Sequence, residues 1–398
     1  MQTIYVDNNA TTAIAPEVVA AMQPYFTADY FNPSSMYDAA RSAAHAIQTA
    51  REKIARCLGG FDSDQLLFTG SATESNNSAL FGCVQANPQR RHLITTAVEH
   101  PSVLEIGKEL ARRGLEVTFL PVDHNGELSI DAYVKALRSD TLMVSVMMAN
   151  NETGVCYPVG DLARIAKETD PQILVHTDAT QAVGKLPVDL RKDLKQIDLL
   201  AFSGHKIHAP KGVGALFVRR GTRWRPFILG GHQELGRRAG TENVPYIVGL
   251  AKACELAIAG LAEEQTRVRA MRDRLQQALI ERIPAIEVNG KDAAVRLPNT
   301  LNLAIHGIEG EAILFELSSQ GICASSGSAC TSGTLDPSHV LKAMAVPFSA
   351  IHGSLRISLS RYNNDAEIDR IIEILPKIVT RLRRLSPYWD DKRNCLNL

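Results

Sequence analysis

The chain has 398 residues, enough for two to three domains at roughly 150 residues each. Apolar residues make up 45% and charged residues 22%, which excludes a disordered, collagenous or coiled-coil chain. Lys plus Arg total 43 and Asp plus Glu total 43, so no basic excess points to nucleic acid or an anionic membrane, and small molecules or proteins are the expected partners.

The opening run MQTIYVDNNATT carries the acidic Asp7 and no basic-then-apolar pattern, so it does not read as a secretory signal. No stretch of about 18 apolar residues runs without charge. The seven cysteines, at 57, 83, 156, 254, 323, 330 and 395, contain no Cys-x-x-Cys pair. A cytosolic enzyme without disulfides or a zinc site is therefore expected. In that compartment the sequons at Asn9, Asn76 and Asn151 carry no weight.

From about residue 40 to 220, helical stretches alternate with short apolar runs at 66–69, 93–96, 117–120, 142–147, 173–176, 198–202 and 214–218. This alternation predicts an α/β fold with a largely parallel sheet and helices on both faces. A long helix is predicted over 248–280. A smaller α+β domain follows, with a segment at 299–305, a Gly/Ser-rich loop at 325–333 and an alternating strand at 355–359. The last helix, 366–385, is expected to kink at Pro376.

Ligands of such sheets bind beyond the carboxyl ends of the strands. Run 66–69 leads into GSATES (70–75), a small-residue turn opening a helix, where free N–H groups can hold a phosphate; a capping box looks the same. His100 follows 93–96 and Asn151 follows 142–147, and either alone would ordinarily be structural. Asp178 follows 173–176, where a helix N-cap is the plain alternative, and Lys206 follows 198–202, where a solvated loop lysine is. Together they fit pyridoxal phosphate, which needs an amine for a Schiff base and an Asp to keep its ring nitrogen protonated. A dinucleotide site is rejected, because the nearest GxGxxG, beginning at Gly212, lacks the third glycine.

Cys330 lies among Ser, Gly, Ala and Thr, a setting for an accessible, reactive thiol. Cys57, Cys83 and Cys254 lie in helical patterns and read as core, Cys323 as a buried strand cysteine with a second thiol near Cys330 as the alternative, and Cys395 as a tail residue. Arg356 on an apolar strand suggests a grip on a carboxylate, with a structural ion pair as the alternative.

With these residues in place, the sequence resembles the cysteine desulfurases, pyridoxal-phosphate enzymes of the aminotransferase-like fold (fold type I). The resemblance is carried by YVDNNATT (5–12), NPSS (32–35), VEHP (98–101), ANNETG (149–154), HTDATQ (176–181), SGHK (203–206), RRAGTEN (237–243) and SSGSAC (325–330). GGHQE (230–234) and LSPYW (385–389) look most like the nitrogen-fixation branch. The division this implies is a large domain at 16–257 and a small one made of 1–15 and 258–398, with the cysteine loop at about 323–336.

The resemblance further implies that Lys206 holds the cofactor as a Schiff base and Asp178 pairs with its ring nitrogen. Gln181 and Asn151 would contact the ring oxygen and the substrate side, and His100 would stack on the ring and shuttle protons. Ala72, Thr73, Ser203 and His205 would hold the phosphate, with Thr241 arriving from a second subunit of a homodimer. Arg356 would hold the carboxylate of L-cysteine, with Asn32 near the same pocket. Cys330 would take the sulfur as a persulfide, leaving alanine, and pass it to an iron–sulfur scaffold, with which it could transiently share a cluster; no resident metal is expected. Cys323 stands where this branch usually has alanine. Rival readings are a selenocysteine or other pyridoxal-phosphate C–S lyase, and a catalytically idle assembly subunit.

Overall fold

The seven apolar runs form one sheet in the computed structural model, which describes residues 3–326, 337–390 and 395–396. The strands are β1 (Leu66–Thr69), β2 (His92–Thr96), β3 (Glu116–Leu120), β4 (Thr141–Ser145), β5 (Leu174–Asp178), β6 (Leu199–Ser203) and β7 (Gly214–Val218). Their order is β1-β7-β6-β5-β4-β2-β3, and β7 alone runs antiparallel to its neighbours. Every strand but β3 is buried along its whole length. Helices therefore cover both faces, and the strands read as unbroken apolar runs instead of alternating ones.

The helix α1 (Ala72–Ala86) starts at the end of β1, capped by Ser71 Oγ, which accepts from Glu74 N at 3.2 Å. Gly214 on β7 lets it sit there: a Cβ would stand 2.8 Å from the Ser71 carbonyl carbon and 2.8 Å from Phe202 O. The helix α2 (Pro101–Arg112) follows β2 and is capped by His100.

The predicted helix 248–280 is broken. Its first part, α3 (Val244–Ala259), ends at Gly260; a short turn and a π-helical stretch, Glu264–Val268, lead into α4 (Arg269–Arg282), with a bend of 51°. α3 buries Leu250, Ala253 and Ala257 in the core of the large sheet. α4 buries Met271, Leu275 and Leu279 in a separate core with Leu303, Ile357 and Ile371. Apolar spacing runs through the break, so it hides the passage between cores; Gly260, a poor helix former, marks it.

The second core is covered by the antiparallel strands β8 (Ile286–Val288), β9 (Thr300–Ile305) and β10 (Ser354–Ser358), in the order β10-β9-β8, and by α5 (Asp365–Leu385). α5 continues as one helix past Pro376, where the kink was expected. Proline cannot donate to the carbonyl four residues back, and Ile372 O accepts instead from Arg282 Nη1 at 3.5 Å. Val6 also belongs to this core, and the short strand Ile4–Tyr5 pairs with Ile322–Cys323. From there the chain crosses to the large sheet through Asn8 and Asn9. Among the described residues no single helix is long and apolar enough to cross a membrane.

Candidate active site

At the carboxyl edge of the sheet a cavity of about 310 Å³ opens between the two cores. Ala72, Thr73, His100, Asn151, Asp178, Gln181, Ser203, His205, Lys206 and Arg356 all line it, as do Asn9, Ser102 and Met147. Each arrives for a local reason. β5 ends on Asp178 and β6 on Ser203. The 3₁₀ turn Gly204–Lys206 then aims the lysine back into the cavity.

Asp178 is 5% exposed, and its oxygens accept from Thr180 N at 2.9 Å and Asn76 Nδ2 at 2.8 Å. It makes no ion pair among the described residues. A buried carboxylate left so is costly unless a ligand supplies the missing positive partner. Lys206 Nζ donates to Asn9 O at 2.7 Å and Ala10 O at 2.6 Å. The first-turn N–H groups of Ala72 and Thr73 have no intrahelical acceptor, and the helix dipole adds positive potential there.

His100 Nδ1 accepts from Ser102 N at 3.1 Å and meets Ser102 Oγ at 2.9 Å. The proton of the neutral ring therefore sits on Nε2, the nitrogen left for exchange. Burial pushes His100 below the ordinary histidine value, so the ring is neutral at neutral pH. His205, beside Thr11 Oγ1 at 3.1 Å, is pushed down to about 4 by burial and by the neighbouring Lys206 charge.

Asn76 was not singled out as a site residue in the sequence, and it joins these groups: its Nδ2 also donates to Ser102 Oγ at 2.9 Å, linking Asp178 to His100 through one amide. It lies one helical turn past the capping turn of α1, on the face toward β5, and that spacing is the signal that could have found it. Asn9 is the other omission, since its carbonyl accepts from Lys206 Nζ and Gln181 Nε2.

Arg356 on β10 is 3% exposed. Its Nη2 bonds Asp7 Oδ1 at 2.8 Å and its Nη1 donates to Asn151 O at 3.1 Å, while Nε has no partner among the described residues. The ion-pair alternative is thus present, yet one buried donor remains. Asn32 and Thr241 do not line the cavity and are exposed on this chain; Asn32 Oδ1 accepts from Ser34 N at 3.0 Å. Cys330 lies outside the described residues. The segment before it is fixed to the site by paired backbone bonds, Arg356 N to Ser325 O at 2.7 Å and Ser325 N to Arg356 O at 3.1 Å. Beyond it, Ser338 Oγ donates to Glu152 Oε2 at 2.5 Å, and burial raises the Glu152 carboxyl to about 7.

Of the remaining cysteines, Cys83 and Cys254 are fully buried and Cys57 half-buried, in keeping with their helical patterns. Cys323 is on a strand as expected, although half-buried, and Cys395 is exposed.

Residues 4–371 match the Aminotransferase class-V family. A cysteine desulfurase of Trichormus azollae is 51% identical over 396 residues, 100% of this chain and 98% of that protein. Cysteine desulfurase NifS of Azotobacter vinelandii is 49% identical over 390 residues, 98% of this chain and 96% of that one. Among solved structures, a NifS-like protein superposes with a TM-score of 0.90 at 37% identity, over 96% of this chain and 100% of that chain. SspA in complex with cysteine gives 0.79 at 34% identity, over 91% and 100%.

Proposed function

Because the chain belongs to the Aminotransferase class-V family and to the cysteine desulfurases, we propose that its cavity holds pyridoxal 5'-phosphate and takes sulfur from L-cysteine there. The observation that carries this is the buried Asp178 carboxylate, in no ion pair among the described residues, lining the same 310 Å³ cavity as the Lys206 amine. The residues fit the group: Asp178 would meet the ring nitrogen, Lys206 the carbonyl, and Ala72, Thr73, Ser203 and His205 the phosphate, with Gln181 and Asn151 beside the ring. When bound, the group supplies an amine-capturing carbonyl and an electron-accepting ring.

The chain's own residues do the rest. Arg356, held in place by Asp7 and Asn151, binds the substrate carboxylate. Lys206 removes the Cα proton, and His100, neutral and with Nε2 free, moves protons at the substrate. The Cys330 thiolate then attacks the substrate sulfur. A sulfur–sulfur bond forms as the carbon–sulfur bond breaks; the electron pair left on carbon takes up a proton, giving alanine, and the sulfur stays on Cys330 as a persulfide.

The acceptor in this reading is a scaffold for iron–sulfur cluster assembly, in the setting of nitrogen fixation. The NifS relatives support it. Thr241, exposed on this chain, is available to reach the phosphate of a second copy in a homodimer. The test is product stoichiometry: L-cysteine with a reductant gives alanine and sulfide in equal amounts and a visible cofactor band. Pyruvate and ammonia instead of alanine would place the enzyme among the eliminating lyases.

Arg356→Gln is expected to raise KM for L-cysteine about ten- to a hundredfold, the loss of one charged hydrogen bond to substrate. Steady-state kinetics check this, and an unchanged KM assigns Arg356 to the Asp7 ion pair alone.

A further inference from the structure

A second lysine, Lys185, lies behind the cavity at 6% exposure and has no part in the chemistry above. Its Nζ donates to Gln181 Oε1 at 2.6 Å and to Asn9 Oδ1 at 3.3 Å. An ammonium only donates, so it decides which end of the Gln181 amide turns toward it. Oε1 faces Lys185, and Nε2 is delivered to Asn9 O at 3.0 Å, the carbonyl that also receives Lys206 Nζ at 2.7 Å. Gln181 lines the cavity, and its second Nε2 hydrogen is the one left for a bound molecule.

On its other side Lys185 shares a small cavity of about 20 Å³ with Glu264. Glu264 opens the π-helical stretch, and such stretches concentrate at functional positions. Its Oε1 accepts from Arg361 N at 3.2 Å, while its buried Oε2 has no hydrogen-bond partner among the described residues. A space of that size, with an ammonium and a carboxylate on its walls, suits one water. The charges facing Lys185 are Glu264, Lys206 and Arg356, and the rings of His205 and His208 also feel it. Glu264 is the one carboxylate in that group. Burial pushes Lys185 down and Glu264 up, and each opposes the shift in the other.

We propose that Lys185 is a positioning residue: it fixes Gln181 as a donor toward the ring oxygen of the cofactor, with its own charge held by Glu264 across one bound water. This rests on the cavity being the pyridoxal 5'-phosphate site.

The experiment titrates pyridoxal 5'-phosphate into the full-length apo forms of wild type, Lys185→Met, Gln181→Ala and the double variant, following the visible band across pH. Lys185→Met is expected to bind about tenfold more weakly and to move the pH midpoint of the band. In the Gln181→Ala background it should do neither, because the two residues act as one unit. Lys185→Arg, which keeps a donor-only cation, should recover part of the loss. Equal binding and an unmoved midpoint in Lys185→Met overturn the inference, as do additive effects in the double variant. Should Lys185→Met not fold, Glu264→Gln replaces it; it is expected to move the midpoint only where Gln181 is present, and no movement overturns the inference. A wild type that takes up no pyridoxal 5'-phosphate overturns the reading of the cavity itself, and this inference with it.

Discussion

Lys206→Ala is expected to lower sulfide and alanine release from L-cysteine together, by at least about a thousandfold. General base catalysis alone is worth roughly 10²–10⁴, and the same amine anchors the cofactor. Two backbone carbonyls, of Asn9 and Ala10, receive that amine at 2.7 and 2.6 Å. Its removal therefore also leaves two acceptors unpaired at the domain junction. Lys206→Arg separates the effects. The guanidinium still donates to both carbonyls but cannot give up its proton at working pH, so this variant should fold like wild type and remain inactive. Steady-state rates, and dialysis of the visible band, check both. Turnover above a few per cent in either variant would move the proton transfer to another residue, and His100, which lines the same cavity, is the candidate.

Cys330→Ala should be as damaging to sulfur transfer while sparing everything before it. Losing an enzyme nucleophile costs about 10⁴–10⁶ in rate. Asp178, Lys206, His100 and Arg356, which in this reading serve the cofactor and the substrate, come from other elements and are left in place by the substitution. The variant is thus expected to keep its visible band and the spectral change on adding L-cysteine, yet release almost no sulfide. If sulfide release persists, carbon–sulfur cleavage needs no enzyme thiol, and the lyase alternative replaces the persulfide route.

The sheet and the wall of the cavity were readable in the sequence because buried parallel strands lack alternation. An apolar run that stops abruptly at a polar residue marks both a strand and its carboxyl end, which is how Asp178, Ser203 and Lys206 stood out. Gly214–Val218 read equally well although it runs antiparallel, since burial, and not direction, sets its composition. What stayed hidden depended on contacts far along the chain. Asn76 meets Asp178 across 102 positions, and Asn9 meets Lys206 across 197. Lys185, one turn after Gln181, had the spacing of an ordinary helix neighbour, with nothing local to show that both would be buried. The break at Gly260 was masked because each half of the helix is apolar toward a different core.

The two fixed ends flanking Cys330 set a length on the delivery of sulfur. Ser325 is bonded to Arg356 and Ser338 to Glu152, and Cys330 follows Ser326 by four residues in the sequence. At roughly 3.3–3.6 Å per residue the chain can extend no more than about 14 Å from Ser326. In the proposed transfer from Cys330, an acceptor thiol would therefore have to come inside that radius. On that reading the partner protein seats itself against the mouth of the site, and a recipient that stays at arm's length is out of reach.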